Sequence, residues 1–310
     1  MPLPSRPLRT HQQQLLGVVQ AIATGEAAEV RDILAAVTPG GGKSLLPVIA
    51  AARLIDAGIV ERVCWVVPRD SLRLQAEEAF ADPHWRASLG HGLSVRAADN
   101  TPDPCRGLSG YVTTYQGVAA APDLHLAEFQ RHRTVLVVDE VHHLPALADA
   151  GGHGAGSITS GAEDEASSWS QALLPLLECA TIRLLLSGTL QRSDGRGILW
   201  LPYRRGPLAA TREVDLAAPG WAVVGYSRAQ ALAERAVLPV TFGALDGEAS
   251  WLEPAGDGPD ETERQAVGPH RLSGSHPTET TRPALFTALR TGFADSLLRE
   301  AFTATRTLRA

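Results

Sequence analysis

The stretch Ile33-Leu34-Ala35-Ala36-Val37-Thr38-Pro39-Gly40-Gly41-Gly42-Lys43-Ser44-Leu45-Leu46-Pro47-Val48-Ile49 carries the decisive signal in this chain. Five apolar residues lead into a glycine-rich turn, and the turn leads into a second apolar segment, the order of a buried strand, a loop and a helix. Glycines at 40, 41 and 42 let the backbone curl until successive N–H groups point at one anion. Lys43 can then reach outer phosphates, and the Ser44 hydroxyl can sit on a divalent cation. The N-terminus of the following helix adds partial positive charge. One position departs from the strict phosphate-loop pattern: Val37 stands where Gly or Ala is the rule.

Outward from this loop, short runs apolar on both sides recur at Ile33 to Val37, Val63 to Val67, Gly110 to Thr114, Val135 to Val138 and Ile182 to Leu186. Strands buried on both faces have this composition. Between them, helical spacing of apolar residues predicts helices at Thr10 to Thr24, Lys43 to Ala57, Ser71 to Phe80 and Ser167 to Cys179. The alternation predicts an α/β fold, a parallel sheet with helices on both faces, over residues 1–205. The glycine-rich run from Ala150 to Ser168 has neither period and reads as a loop. Residues 206–252 read as a β-rich bridge with a helix from Ser227 to Ala236 and an exposed Trp251. Residues 253–283, rich in Gly, Pro, Thr and Glu, read as a linker, and 284–310 as a terminal amphipathic helix.

A second element joins the loop. Val135-Leu136-Val137-Val138-Asp139-Glu140-Val141-His142-His143 places two carboxylates at the C-terminal tip of a buried strand, the edge where ligands bind in open α/β sheets. With a phosphate loop beside them, Asp139 can hold the Mg²⁺ that Ser44 also touches, and Glu140 can orient the water that attacks a γ-phosphate. The expected ligands are therefore ATP and Mg²⁺.

Composition bounds the rest. The chain has 310 residues, 44% of them hydrophobic, enough to bury a sizeable core, and a formal net charge of −6. That charge disfavours a protein that coats nucleic acid by bulk attraction but leaves room for a local basic groove. No run approaches the roughly 18 uninterrupted apolar residues of a membrane span, and the first residues lack the apolar core of a secretory signal. The expectation is a cytoplasmic protein without a membrane partner. Cys64, Cys105 and Cys179 are isolated and lack Cys-x-x-Cys spacing, so neither a disulfide framework nor a zinc site is indicated.

In this order and spacing the motifs resemble the first RecA-like domain of superfamily 2 helicases, the DEAD/DEAH-box class, and especially the branch of type III restriction subunits. The resemblance spans about two-thirds of the chain. Leu8-Arg9-Thr10-His11-Gln12 is similar to the family's adenine-recognition segment, with Gln12 at the place of the base-contacting glutamine. Thr38 to Ser44 resembles motif I, Asp139-Glu140-Val141-His142 motif II, and Ser187-Gly188-Thr189 motif III. The resemblance implies that His142, Ser187 and Thr189 couple the nucleotide site to nucleic acid. Val66-Val67-Pro68-Arg69 and Val112-Thr113-Thr114-Tyr115 are similar to strand-contacting motifs, which implies phosphate contacts from Arg69, Thr113, Thr114 and Tyr115 to single- or double-stranded nucleic acid, with DNA favoured over RNA.

Complete motors of this class carry a second RecA-like domain whose motif reads Gln-x-x-Gly-Arg-x-x-Arg. The nearest counterpart here, Gln191-Arg192-Ser193-Asp194-Gly195-Arg196, has one extra residue and directly follows Ser187-Gly188-Thr189. Two readings follow: half of a helicase or translocase that needs a second RecA-like domain or subunit, or an ATP-gated binding module that never unwinds anything.

Overall fold

The computed structural model describes residues 6–147, 161–192, 194–205, 212–239, 248–249 and 270–271. The chain divides into two units, 1–239 and 240–310. In the first, seven parallel strands form one sheet: β1 (Asp32–Val37), β2 (Arg62–Val67), β3 (Val95–Ala97), β4 (Gly110–Thr114), β5 (Thr134–Asp139), β6 (Ile182–Ser187) and, after a short antiparallel pair β7 (Tyr203–Arg205) and β8 (Arg212–Val214), β9 (Trp221–Tyr226). The spatial order is β3-β4-β2-β5-β6-β1-β9. In the second unit, the described residues form β10 (Glu248–Ala249) paired with β11 (His270–Arg271).

Each central strand is buried on both faces because its alternate side chains enter two separate cores. On one face Ile33, Ala35, Val63, Val135, Val137 and Leu184 pack under α1 (Thr10–Thr24), α2 (Leu46–Asp56) and α3 (Ser71–Ala81). On the other, Leu34, Leu136, Val138 and Leu185 pack under α5 (Tyr115–Ala120), α6 (Pro122–Arg131) and α7 (Gly161–Cys179). α4 (Pro83–Leu89) lies between α3 and β3 in the chain, and α8 (Arg228–Ala233) follows β9. No helix among the described residues is long and apolar enough to cross a membrane.

All five strands expected from the sequence lie within β1, β2, β4, β5 and β6. Three expectations need correction. Residues 221–226, read as part of the bridge, are the edge strand of the sheet, in parallel register with β1 from Asp32↔Trp221 to Val37↔Tyr226, so the sheet does not end at 205. Its pattern explains the misreading: buried Val224 and Tyr226 alternate with exposed Val223 and Gly225, as an edge strand does when one face is open. The helix expected from Lys43 begins with a 3₁₀ turn, Lys43–Leu45, before α2 takes over with Pro47 in its first turn. α7 starts at Gly161, inside the stretch read as loop, where the sequence has no apolar period to announce a helix. The loop over 150–160, Trp251, the linker and the terminal helix lie outside the described residues, apart from the short pair β10–β11.

Candidate functional site

Because β5, β6 and β1 are neighbours, the loops at their C-terminal tips meet. The β1 loop needs its glycines: Gly40 and Gly42 have φ of 76° and 91°, the left-handed region that disfavours a side chain. At Gly41 a Cβ would lie 2.8 Å from both the Thr38 carbonyl oxygen and Val37 Cγ1. Thr38 N–H donates to Tyr226 O (2.9 Å), so the edge strand β9 holds the start of the loop, and Gly41 N–H donates back to Thr38 O (2.9 Å). On the outer side, Arg9 Nη1 donates to the carbonyls of Gly41 (2.6 Å) and Gly40 (3.3 Å), and Gln12 Nε2 donates to Gly42 O (3.2 Å). Gln12 Oε1 accepts from Arg9 N–H (2.9 Å), capping the N-terminus of α1. Gln12 is thus both a helix cap and a brace of the loop, and a cavity of about 490 Å³ lined by Arg9, Gln12, Gly42, Ser44, Gln75 and Trp85 opens beside it.

Lys43 reaches across to the tip of β5. Its ammonium forms an ion pair with Glu140 and lies 4.0 Å from Asp139 Oδ1. That oxygen is buried and has no hydrogen-bond partner among the described residues. Burial pushes the Asp139 carboxyl up to about 6, the Glu140 charge adds to the rise, and Lys43 opposes it. Glu140 sits at φ 53°, an uncommon conformation for a residue with a side chain. Burial acts to raise its pKa, but the hydrogen bond and charge of Lys43, with the Gly188 N–H, hold it below the ordinary carboxylate value.

The β6 loop completes the set. Glu140 Oε2 lies 3.4 Å from Gly188 N and 3.3 Å from His142 Nδ1. Ser187 Oγ donates to Thr189 O and accepts from Thr189 N–H (3.1 Å), so its 2.9 Å contact with His142 Nδ1 assigns the proton of that bond to the histidine. Gly188 also abuts the β1 loop, where a Cβ would lie 3.2 Å from Pro39 Cδ. Thr38, Gly40, Gly41, Gly42, Lys43, exposed Ser44, Asp139, Glu140, His142, Ser187 and Thr189 thus stand on three adjoining loops, one of them braced by Gln12.

The candidates for nucleic-acid contact fare differently. Arg69, beyond the tip of β2, is exposed. Thr114 is half-buried, and its Oγ1 accepts from Gly117 N–H (3.0 Å) to cap α5. Thr113 and Tyr115 are corrected: both are buried, at 1% and 0% exposure, which removes them from reach of a strand. Tyr115 instead donates its hydroxyl to the Asp139 carbonyl and stacks on Trp169, so it positions the tip of β5 from below.

Among the described residues no group of three or more His, Cys, Asp or Glu side chains could hold a metal by itself. Mg²⁺ commonly binds through one or two carboxylates and shares its remaining positions with substrate phosphates and water. The buried oxygen of Asp139, unpartnered among the described residues, and exposed Ser44 on the neighbouring loop fit that donor set.

Residues the sequence reading missed include Arg9, which stands inside the quoted Leu8–Gln12 segment, and the cluster of His11, Tyr226 and Glu234. His11 is fully buried, 4.2 Å from the Tyr226 ring, with neither ring nitrogen in a close hydrogen bond among the described residues, and Tyr226 donates to Glu234 (2.7 Å). Burial, aided by Arg9, lowers the His11 pKa to about 4, and burial does the same to His125. The unfolded chain takes up these protons near pH 6.5 while the folded one refuses them. The stability these two groups contribute is therefore complete above that value and is lost as pH drops towards 4, by about 1.4 kcal/mol per unit for each histidine. Denaturation at pH 7 and pH 5 is expected to differ by about 2 kcal/mol per histidine, and His11→Phe, which keeps the stacking, should flatten the slope.

The family model for the type III restriction enzyme res subunit matches residues 5–192. An uncharacterized protein of Mycobacterium tuberculosis is 33% identical over 253 residues, 81% of this chain and 35% of that protein. Another from Mycobacterium leprae is 32% identical over 256 residues, 82% of this chain and 36% of that protein. The chain thus spans about a third of the length of these curated relatives. Among solved structures, the SWI2/SNF2 ATPase core of Sulfolobus solfataricus in complex with dsDNA aligns with a TM-score of 0.41 and 16% identity, over 60% of this chain and 32% of that one. The type ISP restriction-modification enzyme LlaBIII bound to DNA aligns with a TM-score of 0.43 and 15% identity, over 74% of this chain and 16% of that one. On its matched residues, this chain belongs to the type III restriction enzyme res subunit family.

Proposed function

We propose that the chain is the ATP-binding and ATP-hydrolysing half of a cytoplasmic nucleic-acid helicase or translocase, and that efficient turnover requires a second RecA-like domain in trans. The observation that carries this reading is the convergence of Lys43, Asp139 and Glu140, with one buried carboxylate oxygen left unpartnered among them. In this reading Lys43 exchanges Glu140 for the outer phosphates, and the exchange frees the Glu140 carboxylate to orient water and accept its proton. Asp139 and Ser44 would hold Mg²⁺, which when bound neutralises charge on the phosphate oxygens. Gln12 and Arg9 face the cavity beside the loop, where a base has room. His142, Ser187 and Thr189 link the tip of β5 to that of β6, so a shift at either tip is felt at Glu140. We favour DNA as the nucleic acid because the family is named for a restriction enzyme, with Arg69 and Thr114 as the remaining contact candidates. Stabilisation of the transferring phosphoryl group by an arginine from the second domain would contribute about 10³–10⁵ in rate.

The purified chain is expected to bind ATP with Mg²⁺ by calorimetry and to hydrolyse it slowly. Lys43→Ala removes one charge-assisted phosphate contact, worth roughly 1.5–3 kcal/mol, and should weaken binding about tenfold or more. Unchanged affinity would refute the role of the loop. Vigorous nucleic-acid-stimulated hydrolysis by this chain alone would refute the need for a partner domain.

A further inference from the structure

The segment Gln191 to Arg196, which imitates an arginine-finger motif in sequence, has a different task in the fold. Arg192 is largely covered, with its side chain 14% exposed, and one of its Nη1 protons goes to the carbonyl oxygen of His142. Its Nε and Nη2 grip Asp194 at 3.1 Å and 2.6 Å, which fixes the guanidinium plane. The turn it holds is the one that begins at Glu140. There His143 N–H donates to Glu140 O (2.9 Å) and Leu144 N–H to Val141 O (3.0 Å), closing a 3₁₀ turn whose first residue has left-handed backbone. A non-glycine residue in that conformation persists only where its surroundings over-determine it. Lys43, Gly188 and His142 restrain the Glu140 side chain, whereas Arg192 restrains the backbone of the turn from the opposite loop.

We infer that Arg192, oriented by Asp194, is a positioning residue that keeps the Glu140–His143 turn, and with it the Glu140 carboxylate, in the geometry hydrolysis needs. The catalytic half of this inference rests on the nucleotide reading above; the structural half does not. A misplacement of about 1 Å can cost on the order of 10² in rate while binding contacts stay intact. Arg192 touches neither the β1 loop nor the cavity beside it among the contacts described, so nucleotide affinity has no reason to follow.

Two measurements on the full chain separate the possibilities. Amide hydrogen exchange without nucleotide reads the turn directly: in Arg192→Ala the His143 and Leu144 amides should exchange roughly tenfold faster, with the central strands unchanged. Single-turnover hydrolysis with the chain in excess should slow about 10- to 100-fold, while the ATP dissociation constant stays within about twofold. Arg192→Lys can reach the His142 carbonyl but cannot grip Asp194 with two nitrogens, so it should recover part of both signals. Unchanged exchange at residues 143 and 144 would overturn the inference, as would faster exchange with an unchanged hydrolysis rate in an active chain. If the wild-type chain neither binds nor hydrolyses ATP, the nucleotide reading fails, and the exchange result alone decides whether Arg192 positions the turn.

Discussion

Glu140→Gln is expected to cut ATP hydrolysis by about 10²–10⁴-fold, the usual contribution of a positioned proton acceptor, while ATP binds at least as tightly as to the unaltered chain. The argument starts from the ion pair. In the nucleotide-free chain Lys43 is bound to Glu140, so phosphate must displace a carboxylate to reach the ammonium. A neutral glutamine competes less well, which favours binding. The same change removes the carboxylate that its surroundings hold below the ordinary value, whereas burial and the neighbouring charge raise Asp139 to about 6. Gln has nearly the shape of Glu and tolerates the left-handed backbone at 140 no worse, so the variant should fold. Equilibrium ATP binding and single-turnover hydrolysis, measured side by side, give the split. A variant that hydrolyses at the original rate would show that another group orients the water, and that the Lys43–Glu140 pair serves structure alone.

How much of this was legible in the sequence depends on how far apart the partners lie. The β1 loop and the Asp139-Glu140 tip are local patterns, a strand followed at once by the residues that do the chemistry, and period and composition suffice to find them. Thr113 and Tyr115 illustrate a local signal that was available but unused. Successive side chains of a strand alternate faces, and Tyr111 and Thr113 share the face that the helices α5 to α7 cover; Thr114 shares the parity of Val112, which is buried in the other core, and is half-buried because it ends the strand. β9 and its hold on Thr38 were not readable, because nothing near Trp221 to Tyr226 reveals a partner strand at residues 32–37. Arg9 carried no signal of its own, since its targets are carbonyls, which any residue supplies.

The largest stability effect is expected far from the nucleotide loop, at a pair equally invisible in sequence. Asp32, the first residue of β1, and Arg183, near the start of β6, are both 8% exposed and separated by 151 positions. Arg183 Nε and Nη2 both donate to the Asp32 carboxylate, the second at 3.2 Å, and Nη1 donates to the carbonyls of Leu177 (2.8 Å) and Ala180 (3.0 Å). Trp200 Nε1 donates to the same carboxylate at 2.8 Å, and its ring lies 5.1 Å from the guanidinium carbon. Asp32→Ala would leave a buried guanidinium without its counter-charge and the Trp200 N–H without an acceptor. The expected cost is about 3–5 kcal/mol, a fall in melting temperature of roughly 6–20 °C for a body of this size. Asp32→Asn keeps an acceptor in place and should cost less. The double variant Asp32→Leu, Arg183→Met removes both charges together and should recover most of the loss, because the penalty belongs to the unpaired charge rather than to the absence of the pair. Denaturant titration of the three variants tests this order. A loss below about 1 kcal/mol for Asp32→Ala would mean that water reaches the guanidinium as readily as at a surface pair. The Asp32 end of β1 lies about 17 Å from its phosphate-loop end, at 3.3 Å per residue. The folded fraction of each variant should therefore bind ATP unchanged, which separates what holds the sheet together at one end from what its other end is built to do.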